Sequence, residues 1–249
     1  MPSKPSISGG GGGPNAPLLA KGELLTKGGS LAKGESRSRL GRGTVLASDL
    51  GVRILIFSDI HSDWKTLERL LSVEADYYIA AGDQVTWAKG IERAGEILRS
   101  RGGKVYVLPG NHESADQVAG MCARYGLHNF HERHMQIGRW HVAGLGYSSP
   151  TPFNTPGEYT EPQLAQRLER FGALDPLVLV CHAPPYGTAL DRIREGLHAG
   201  STAVRDFIQE HQPVYFFCGH IHEAEGVEAR LGQTRAWNVG KKGYLLQLE

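Results

Sequence analysis

Short apolar runs alternate with polar clusters from about Val52 to the end of the chain. Near-continuous apolar runs of this length are typical of strands buried on both faces. Five of them each lead directly into a polar cluster, and they cover 53–58, 77–81, 104–108, 177–180 and 214–217. Further strands are predicted near 139–145, 226–231 and 244–248.

Segments with the apolar periodicity of helices lie between these strands. Leu67, Leu70 and Leu71 follow Asp63 with three- and four-residue spacing, and the segments 91–98 and 204–208 are also predicted to be helical. Strands that alternate with helices predict a largely parallel sheet covered by helices. The expected fold class is therefore α/β.

The first 50 residues differ in composition from the rest. They hold 11 of the 33 glycines and no Phe, Trp or Tyr, and they include the glycine run 9–13. Such a segment cannot bury enough apolar surface to offset the ordering of its backbone. We therefore predict a disordered extension over residues 1–50 and one folded domain over residues 51–249.

The overall composition excludes several classes of protein. The 27 Lys and Arg nearly balance the 26 Asp and Glu, so the charge gives no strong signal for nucleic-acid binding. No apolar run approaches the length of a membrane span. Three scattered cysteines are too few for a disulfide framework. These features predict a soluble cytoplasmic protein, and they do not indicate its oligomeric state.

Side chains that can bind metals follow each of the five main predicted strands. Sites in open α/β sheets form at the carboxyl ends of strands, so these side chains are expected to converge, and buried ionisable groups need a counter-charge. Imidazole, carboxylate and amide donors without thiolate suit Mn, Fe, Ni, Co or Zn. Seven of these side chains acting as ligands, one of them shared, suit two metal ions better than one. The residues at the strand ends are Asp59, His61, Asp83, Asn111, His112, His182, His220 and His222.

These motifs, in this order and spacing, resemble those of the calcineurin-like metallophosphoesterases. The similarity covers residues 52–249 and is carried by Asp59-Ile60-His61, Gly82-Asp83, Gly110-Asn111-His112-Glu113, His182 and Gly219-His220-Ile221-His222. Segments 149–158 and 182–191 are similar to the short bacterial and archaeal members described as cyclic-nucleotide-phosphodiesterase-like. The resemblance implies an αββα sandwich with mixed sheets flanked by helices.

The resemblance also implies a role for each residue. Asp59, His61, Asp83 and His222 would bind one metal, and Asn111, His182 and His220 would bind the second together with Asp83 as the bridge. Mn²⁺ is the expected ion. A hydroxide activated by the two metals would attack phosphorus, and His112 would assist the leaving oxygen rather than bind metal.

The sequence departs from the related protein Ser/Thr phosphatases at one motif. Gln84-Val85-Thr86-Trp87 stands where those enzymes continue into Asp-Arg-Gly, so the acid that orients their histidine is missing, and Glu113 is one candidate for that role. This departure weakens the interpretation as a protein phosphatase. The favoured function is hydrolysis of a phosphodiester, for example a cyclic nucleotide or another small diester.

Other functions stay open. They are a phosphomonoesterase, a protein phosphatase, or a non-catalytic binding module on the same fold. Such modules tend to lose metal ligands or the catalytic histidine, whereas this sequence keeps all seven ligands and His112. Catalysis is therefore the favoured interpretation.

Overall fold

The structure, a computed structural model, describes residues 22–24 and 51–249. Its fourteen strands, in chain order, are β1 Gly22–Leu24, β2 Val52–Phe57, β3 Tyr77–Ala81, β4 Val105–Leu108, β5 His128–Asn129, β6 Arg133–Ile137, β7 Trp140–Leu145, β8 Leu177–Cys181, β9 Arg192–Arg194, β10 Leu197–His198, β11 Tyr215–Cys218, β12 Glu228–Leu231, β13 Thr234–Asn238 and β14 Tyr244–Leu248. The helices are α1 Trp64–Ser72, α2 Ile91–Leu98, α3 Ala115–Tyr125, α4 Glu161–Leu168 and α5 Thr202–His211, with short 3₁₀ turns at Arg99–Lys104, Glu169–Phe171 and His222–Ala224.

Two six-stranded mixed sheets form the centre of the fold. The first has the order β1-β14-β2-β3-β4-β5, and its strands β2 to β5 are parallel. The second has the order β12-β13-β11-β8-β7-β6, with β13, β11, β8 and β7 parallel. A separate hairpin pairs β9 with β10. The mixed sheets confirm the predicted α/β class.

Alternating side chains of each sheet fill two different layers of the core. In β2, Leu55 and Phe57 pack with helices α1 to α3, whereas Ile54 and Ile56 pack against the second sheet. In β8, Val178 and Val180 face the first sheet, and the other face of the second sheet packs against α4 and α5. Both sheets are therefore covered on both faces, which explains the continuous apolar runs and confirms the αββα sandwich.

Local sequence signals define the helix starts. The carboxylate of Asp63 accepts a hydrogen bond from the backbone N–H of Thr66 at the start of α1. Ser114 and Gln117 form a reciprocal capping box at the start of α3. Both caps satisfy N–H groups that have no partner within the helix. Each cap also comes shortly after a strand end, so it helps to define the loop between them.

The predicted extension contributes one described segment. Gly22–Leu24 form β1, which pairs antiparallel with β14 at the edge of the first sheet. The rest of the extension that we predicted to be disordered lies outside the described residues. In the part of the chain that the structure covers, no helix has the length and apolar content needed to cross a membrane.

We predict that a chain beginning at Ala47 keeps its stability. Strand β1 has three residues and pairs only with β14, while residues 51–249 supply the other thirteen strands. The melting temperature, measured by circular dichroism, is expected to stay within about 4 °C of that of the full chain, the shift that ~1 kcal/mol produces in a domain of this size. A larger decrease, or aggregation through the freed edge of β14, would contradict this prediction.

Candidate metal centre and active site

The eight predicted site residues lie at one edge of the sandwich. Strands β2, β3 and β4 of the first sheet and β8 and β11 of the second end there, and each is followed by one or two of these residues. Backbone hydrogen bonds join neighbouring loops, such as Asp59 N–H to Gly82 O (3.0 Å) and Gly219 N–H to His182 O (3.2 Å). The parallel strands of both sheets therefore bring the side chains to a common edge.

The backbone at this edge is unusual. Four of the site residues have positive φ angles, namely Asp59 (56°), His61 (46°), Asp83 (52°) and His220 (69°). Non-glycine residues rarely adopt this region, although Asp and His tolerate it better than most. Residues in such conformations cluster at functional sites, where the surrounding structure maintains them.

Two glycines allow the loops to approach the carboxylates. A Cβ atom on Gly110 would overlap the Asp83 carboxylate, and one on Gly219 would overlap the side chains of Ser58 and Asp59. These close contacts explain why Gly stands directly before Asn111 and before His220. Larger residues at either position would displace a buried carboxylate.

One group of candidate ligands contains Asp59, His61 and His222, whose donor atoms all lie within 4.8 Å of one another. Nε2 of His222 is 3.5 Å from Oδ1 of Asp59 and 3.1 Å from Nε2 of His61. Asp59 is buried, and both of its carboxylate oxygens accept the backbone N–H of His220 at 3.0 to 3.1 Å. The loop after β11 is thereby joined to the loop after β2.

A second group contains Asp83, His182 and His220. The amide oxygen of Asn111 is 3.3 Å from Nε2 of His182 and 2.9 Å from Nδ1 of His220, so Asn111 belongs to the same group. Nδ1 of His182 donates a hydrogen bond to the carbonyl of Ala81 (2.9 Å). This bond leaves Nε2 facing the group, as is common for histidines that bind metals.

Asp83 lies between the two groups. Its Oδ2 atom is 3.6 Å from Nε2 of His61 and 3.4 Å from Nε2 of His182. Its other oxygen accepts the backbone N–H of His112 at 2.9 Å. One buried carboxylate is thus close to imidazoles from both sides of the site.

Electrostatics at this edge favour a bound cation. Burial opposes the ionisation of Asp59 and Asp83, but the hydrogen bond from His222 to Asp59 and the charge of His182 outweigh it and keep the pKa of each carboxyl below its usual range. Burial likewise opposes the charge on His182, yet the neighbouring Asp83 raises the pKa of His182 to about 9. Burial and the charge of His182 lower the pKa of His220 to about 4. The two carboxylates are therefore ionised at neutral pH and require positive charge nearby.

The donor set fits two divalent metal ions. It offers two ionised carboxylates, four imidazoles and one amide oxygen, and it has no thiolate. This set suits the first-row transition metals rather than calcium. A third group of neighbouring donors contains His61, Asp83 and His112, so His112 also lies next to the candidate ligands.

His112 has a backbone partner instead of the acidic one that we considered. Nδ1 of His112 accepts the backbone N–H of Trp87 at 3.3 Å, and the two rings pack edge to face with centroids 5.6 Å apart. Glu113, one candidate for that role, bonds instead to three backbone N–H groups. The loop that replaces Asp-Arg-Gly therefore supplies a different contact to this histidine.

Glu113 has a buried position that the sequence did not predict. Its side chain is fully buried, and its carboxylate accepts the backbone N–H groups of Asp83 (3.1 Å), Val85 (2.9 Å) and Gly110 (2.9 Å). Burial and the nearby charge of Asp83 raise the pKa of Glu113 to about 8. Glu113 thus links the loops after β3 and β4, and no sequence signal beyond its place after His112 indicates this.

The site opens into a cavity of 360 Å³. Its floor contains five candidate ligands and His112, and its walls come from segment 149–153, from the β9–β10 region and from Ile221. This volume suits a small molecule. His112 and the candidate metal ligands therefore face a common space that can hold a substrate.

Comparisons with known proteins identify the family. The sequence profile described as calcineurin-like phosphoesterase matches residues 52–224, which include every candidate ligand. The chain belongs to the calcineurin-like phosphoesterase family. The family uses divalent metal ions and hydrolyses phosphoester bonds, so this calcineurin-like phosphoesterase is an enzyme of that type.

One similar sequence and two similar structures each match about three quarters of this chain. An uncharacterized protein of Methanocaldococcus jannaschii is 30% identical over 201 residues, which cover 78% of this phosphoesterase and 91% of the relative. A structure from Thermus thermophilus has 20% identity and a TM-score of 0.59, with 77% and 90% of the two chains covered. A phosphopantetheinyl hydrolase from Mycobacterium tuberculosis has 20% identity and a TM-score of 0.55, with 77% and 89% covered. At these identities the two structures show a shared fold.

Replacing Glu113 by Ala is predicted to destabilise the phosphoesterase by about 3 kcal/mol or more, because three buried N–H groups lose their acceptor at ~1–3 kcal/mol each. Urea unfolding followed by circular dichroism measures this change. The control is Glu228→Ala, which removes a half-exposed carboxylate paired with Arg235 at 3.2 Å and is expected to cost at most about 1 kcal/mol. Equal losses for the two variants would show that the Glu113 carboxylate does not support the loops.

Proposed function

We propose that the enzyme is a dinuclear-metal-dependent phosphodiesterase acting on small phosphodiesters. The observation that carries this proposal is the position of Asp83, whose Oδ2 atom lies 3.6 Å from His61 Nε2 and 3.4 Å from His182 Nε2. A carboxylate placed in this way can bridge two ions. Paired ions are a standard device for phosphoester hydrolysis.

Each metal has a proposed ligand set. One ion would be bound by Asp59, His61, Asp83 and His222, and the other by Asp83, Asn111, His182 and His220. Manganese is the proposed metal, and Fe, Ni, Co and Zn also suit these donors. When bound, the two ions supply an activated water and neutralise charge on the phosphoryl oxygens.

His112 is proposed to assist the departure of the leaving oxygen. The N–H of Trp87 donates to Nδ1 of His112, so the proton of the neutral ring lies on Nε2. His112 lines the same cavity as the candidate ligands. Its Nε2–H group can therefore donate a hydrogen bond to the oxygen that leaves phosphorus. Transfer of a proton to that oxygen requires the imidazolium form, in which Nδ1 also carries a proton and no longer accepts from Trp87, and it leaves the ring neutral.

The charge of the cavity supports a diester rather than a monoester. Among the described residues, no Lys or Arg lines it. A monoester carries more negative charge than a diester at neutral pH, and Arg and Lys side chains are common partners of phosphate oxygens. A cavity without them favours the substrate with the smaller charge. A cyclic nucleotide is one small diester of suitable size for 360 Å³.

Two broader proposals concern the protein as a whole. We propose that residues 51–249 form the catalytic domain and that residues 1–50 are an extension. We also propose a cytoplasmic location, because Cys122, Cys181 and Cys218 are all buried and unpaired. Free cysteines are typical of proteins in reducing compartments.

The proposed function is tested with two chromogenic substrates, bis-p-nitrophenyl phosphate and p-nitrophenyl phosphate, with and without Mn²⁺. We expect Mn²⁺-dependent release of p-nitrophenolate, with the higher kcat/KM for the diester. A higher kcat/KM for the monoester would favour a phosphomonoesterase. Hydrolysis of neither substrate, nor of phosphopeptides or cyclic nucleotides, would favour the non-catalytic module.

His112→Ala is predicted to keep its metal content and to lose rate unequally. A poorly activated alkyl or nucleoside diester is expected to slow by ~10²–10⁴-fold, the usual contribution of a general acid. An aryl diester that releases nitrophenolate needs little protonation, so its rate falls less. Rates are compared at equal metal occupancy, with His128→Ala as a control because His128 lies outside the cavity and bonds to Gly103 O.

Equal rate losses for the alkyl and aryl diesters would mean that His112 acts on the phosphoryl oxygens and donates no proton. Loss of a metal ion from His112→Ala would make this residue a ligand. Either outcome would contradict the proposed role.

A further inference from the structure

Two parts of the chain give the cavity at the candidate metal centre an apolar lining. One is segment 149–153, with Pro150, Pro152 and Phe153. The other contains Ile193 of β9 and Ala199, which follows β10. These residues face the space in which the substituents of a phosphoester bound at the floor would lie.

Exposed apolar side chains are concentrated around this cavity. In the described part of the chain, four large hydrophobic residues are exposed, namely Trp87, Phe153, Tyr186 and Leu197. Phe153 is 71% exposed and lines the cavity, and Trp87 packs against His112. Leu197 belongs to the β9–β10 hairpin, and Tyr186 contacts His198 of the same hairpin. Clustered exposure of this kind marks a binding surface.

The wall that carries Phe153 is attached to a candidate metal ligand. The amide nitrogen of Asn111 donates to the hydroxyl of Thr155 (3.2 Å), and the backbone N–H of Gly157 donates to the carbonyl of Asn111 (2.9 Å). Glu158 Oε1 accepts the hydroxyl of Thr151 (2.6 Å) and the backbone N–H of Thr155 (2.8 Å). The loop on both sides of Phe153 is therefore held in place relative to the metal centre before any substrate binds.

The buried carboxylate of Asp191 supports the part of the lining that contains Ile193 and Ala199. Asp191 is fully buried, and it accepts the backbone N–H groups of Gly187 (3.0 Å), Thr188 (2.8 Å) and Gly200 (2.9 Å) and Nδ1–H of His198 (2.7 Å). These bonds connect the two ends of the β9–β10 hairpin. The position of Ile193 is thus defined by hydrogen bonds on both sides of its strand.

The hairpin keeps its cationic residues away from the cavity. Side chains alternate along β9, so Ile193 lines the cavity while the exposed Arg192 and Arg194 lie on the other face of the strand. Within the described residues, the lining of the cavity contains neither Lys nor Arg. The walls therefore offer apolar contacts and no partner for an additional negative charge.

We propose that Phe153 and Ile193 form an apolar subsite that binds an uncharged aromatic or alkyl substituent of the phosphoester substrate. This inference rests on the proposed function, since it deepens the substrate class of the same site. The subsite selects phosphoesters whose only charged part is the phosphoryl group. It selects against substrates that carry a second anionic group, such as polynucleotides and polyphosphates.

Binding of phosphonates tests the subsite without hydrolysis, because their C–P bond is not an ester. The probes are phenylphosphonate, methylphosphonate and 3-phosphonopropionate, titrated by calorimetry into the full chain loaded with Mn²⁺. We expect the Kd of phenylphosphonate to be at least about tenfold lower than that of methylphosphonate, a typical preference of an apolar pocket. The carboxylate of 3-phosphonopropionate is expected to give no gain over methylphosphonate.

Two variants test whether Phe153 causes the preference for phenylphosphonate over methylphosphonate. Phe153→Ala is expected to lose most of the preference for phenylphosphonate while its Kd for methylphosphonate stays unchanged. Gln136→Ala is the control, since it removes an exposed side chain of β6 that does not line the cavity, and it should keep the wild-type ratio.

Equal Kd values for the phenyl and methyl probes in the wild type, or an unchanged ratio in Phe153→Ala, would overturn the subsite. Tighter binding of 3-phosphonopropionate than of phenylphosphonate would overturn it as well. A wild type that prefers phenylphosphonate but hydrolyses no phosphoester would support the subsite and refute the proposed function. The two failures are therefore distinguishable.

Discussion

Two buried carboxylates, Asp59 and Asp83, place the main constraint on this molecule. Each is almost completely removed from solvent, and each is ionised at neutral pH. Charges in such positions are costly unless positive groups lie beside them. The αββα sandwich ends parallel strands of both sheets at one edge, where His182 and His222 come within 3.5 Å of the carboxylates. These imidazoles supply positive charge when protonated, and metal ions, which bind neutral imidazoles, would supply it in their place. The positive φ angles and close glycine contacts of the site follow from the same convergence.

The metal centre and the walls of the cavity are connected through Asn111. Its amide oxygen lies beside His182 and His220, while its amide nitrogen bonds to Thr155 in the loop that carries Phe153. An amide is suited to this arrangement because one end accepts and the other donates. An aspartate at this position could contact a metal but could not donate to Thr155. The proposed selection of substrate and the proposed metal site therefore depend on one side chain.

Much of the fold was predictable because buried strands and helices have simple patterns of apolar residues in the sequence. The strand at Tyr77–Ala81 and the helix at Ile91–Leu98 have the predicted bounds. Helix α3 was missed because it buries only Val118, Met121 and Cys122, a narrow stripe in an otherwise polar segment. The hairpin of β9 and β10 was missed since it is short, half exposed and lies outside the two sheets.

The residues of the site were only partly predictable from the sequence. The eight residues at the strand ends could be found because motif order and strand ends coincide, and the structure brings all of them together. The position of Glu113 could not be found, because a carboxylate that accepts backbone N–H groups has no characteristic sequence spacing. The contact between Trp87 and His112 was missed for a similar reason, since the donor is a main-chain group.

The most direct test of the account is the metal content of Asp83→Asn. Elemental analysis after dialysis against dilute Mn²⁺ compares this variant with the wild type and with His61→Ala, which lacks one proposed ligand of one ion only. We expect about two ions in the wild type and loss of both from Asp83→Asn, because the neutral amide removes the negative charge shared by both sites and offers one oxygen where the carboxylate offers two. His61→Ala should keep the ion bound by His182 and His220. Two tightly bound ions in Asp83→Asn would contradict the bridging role of this carboxylate.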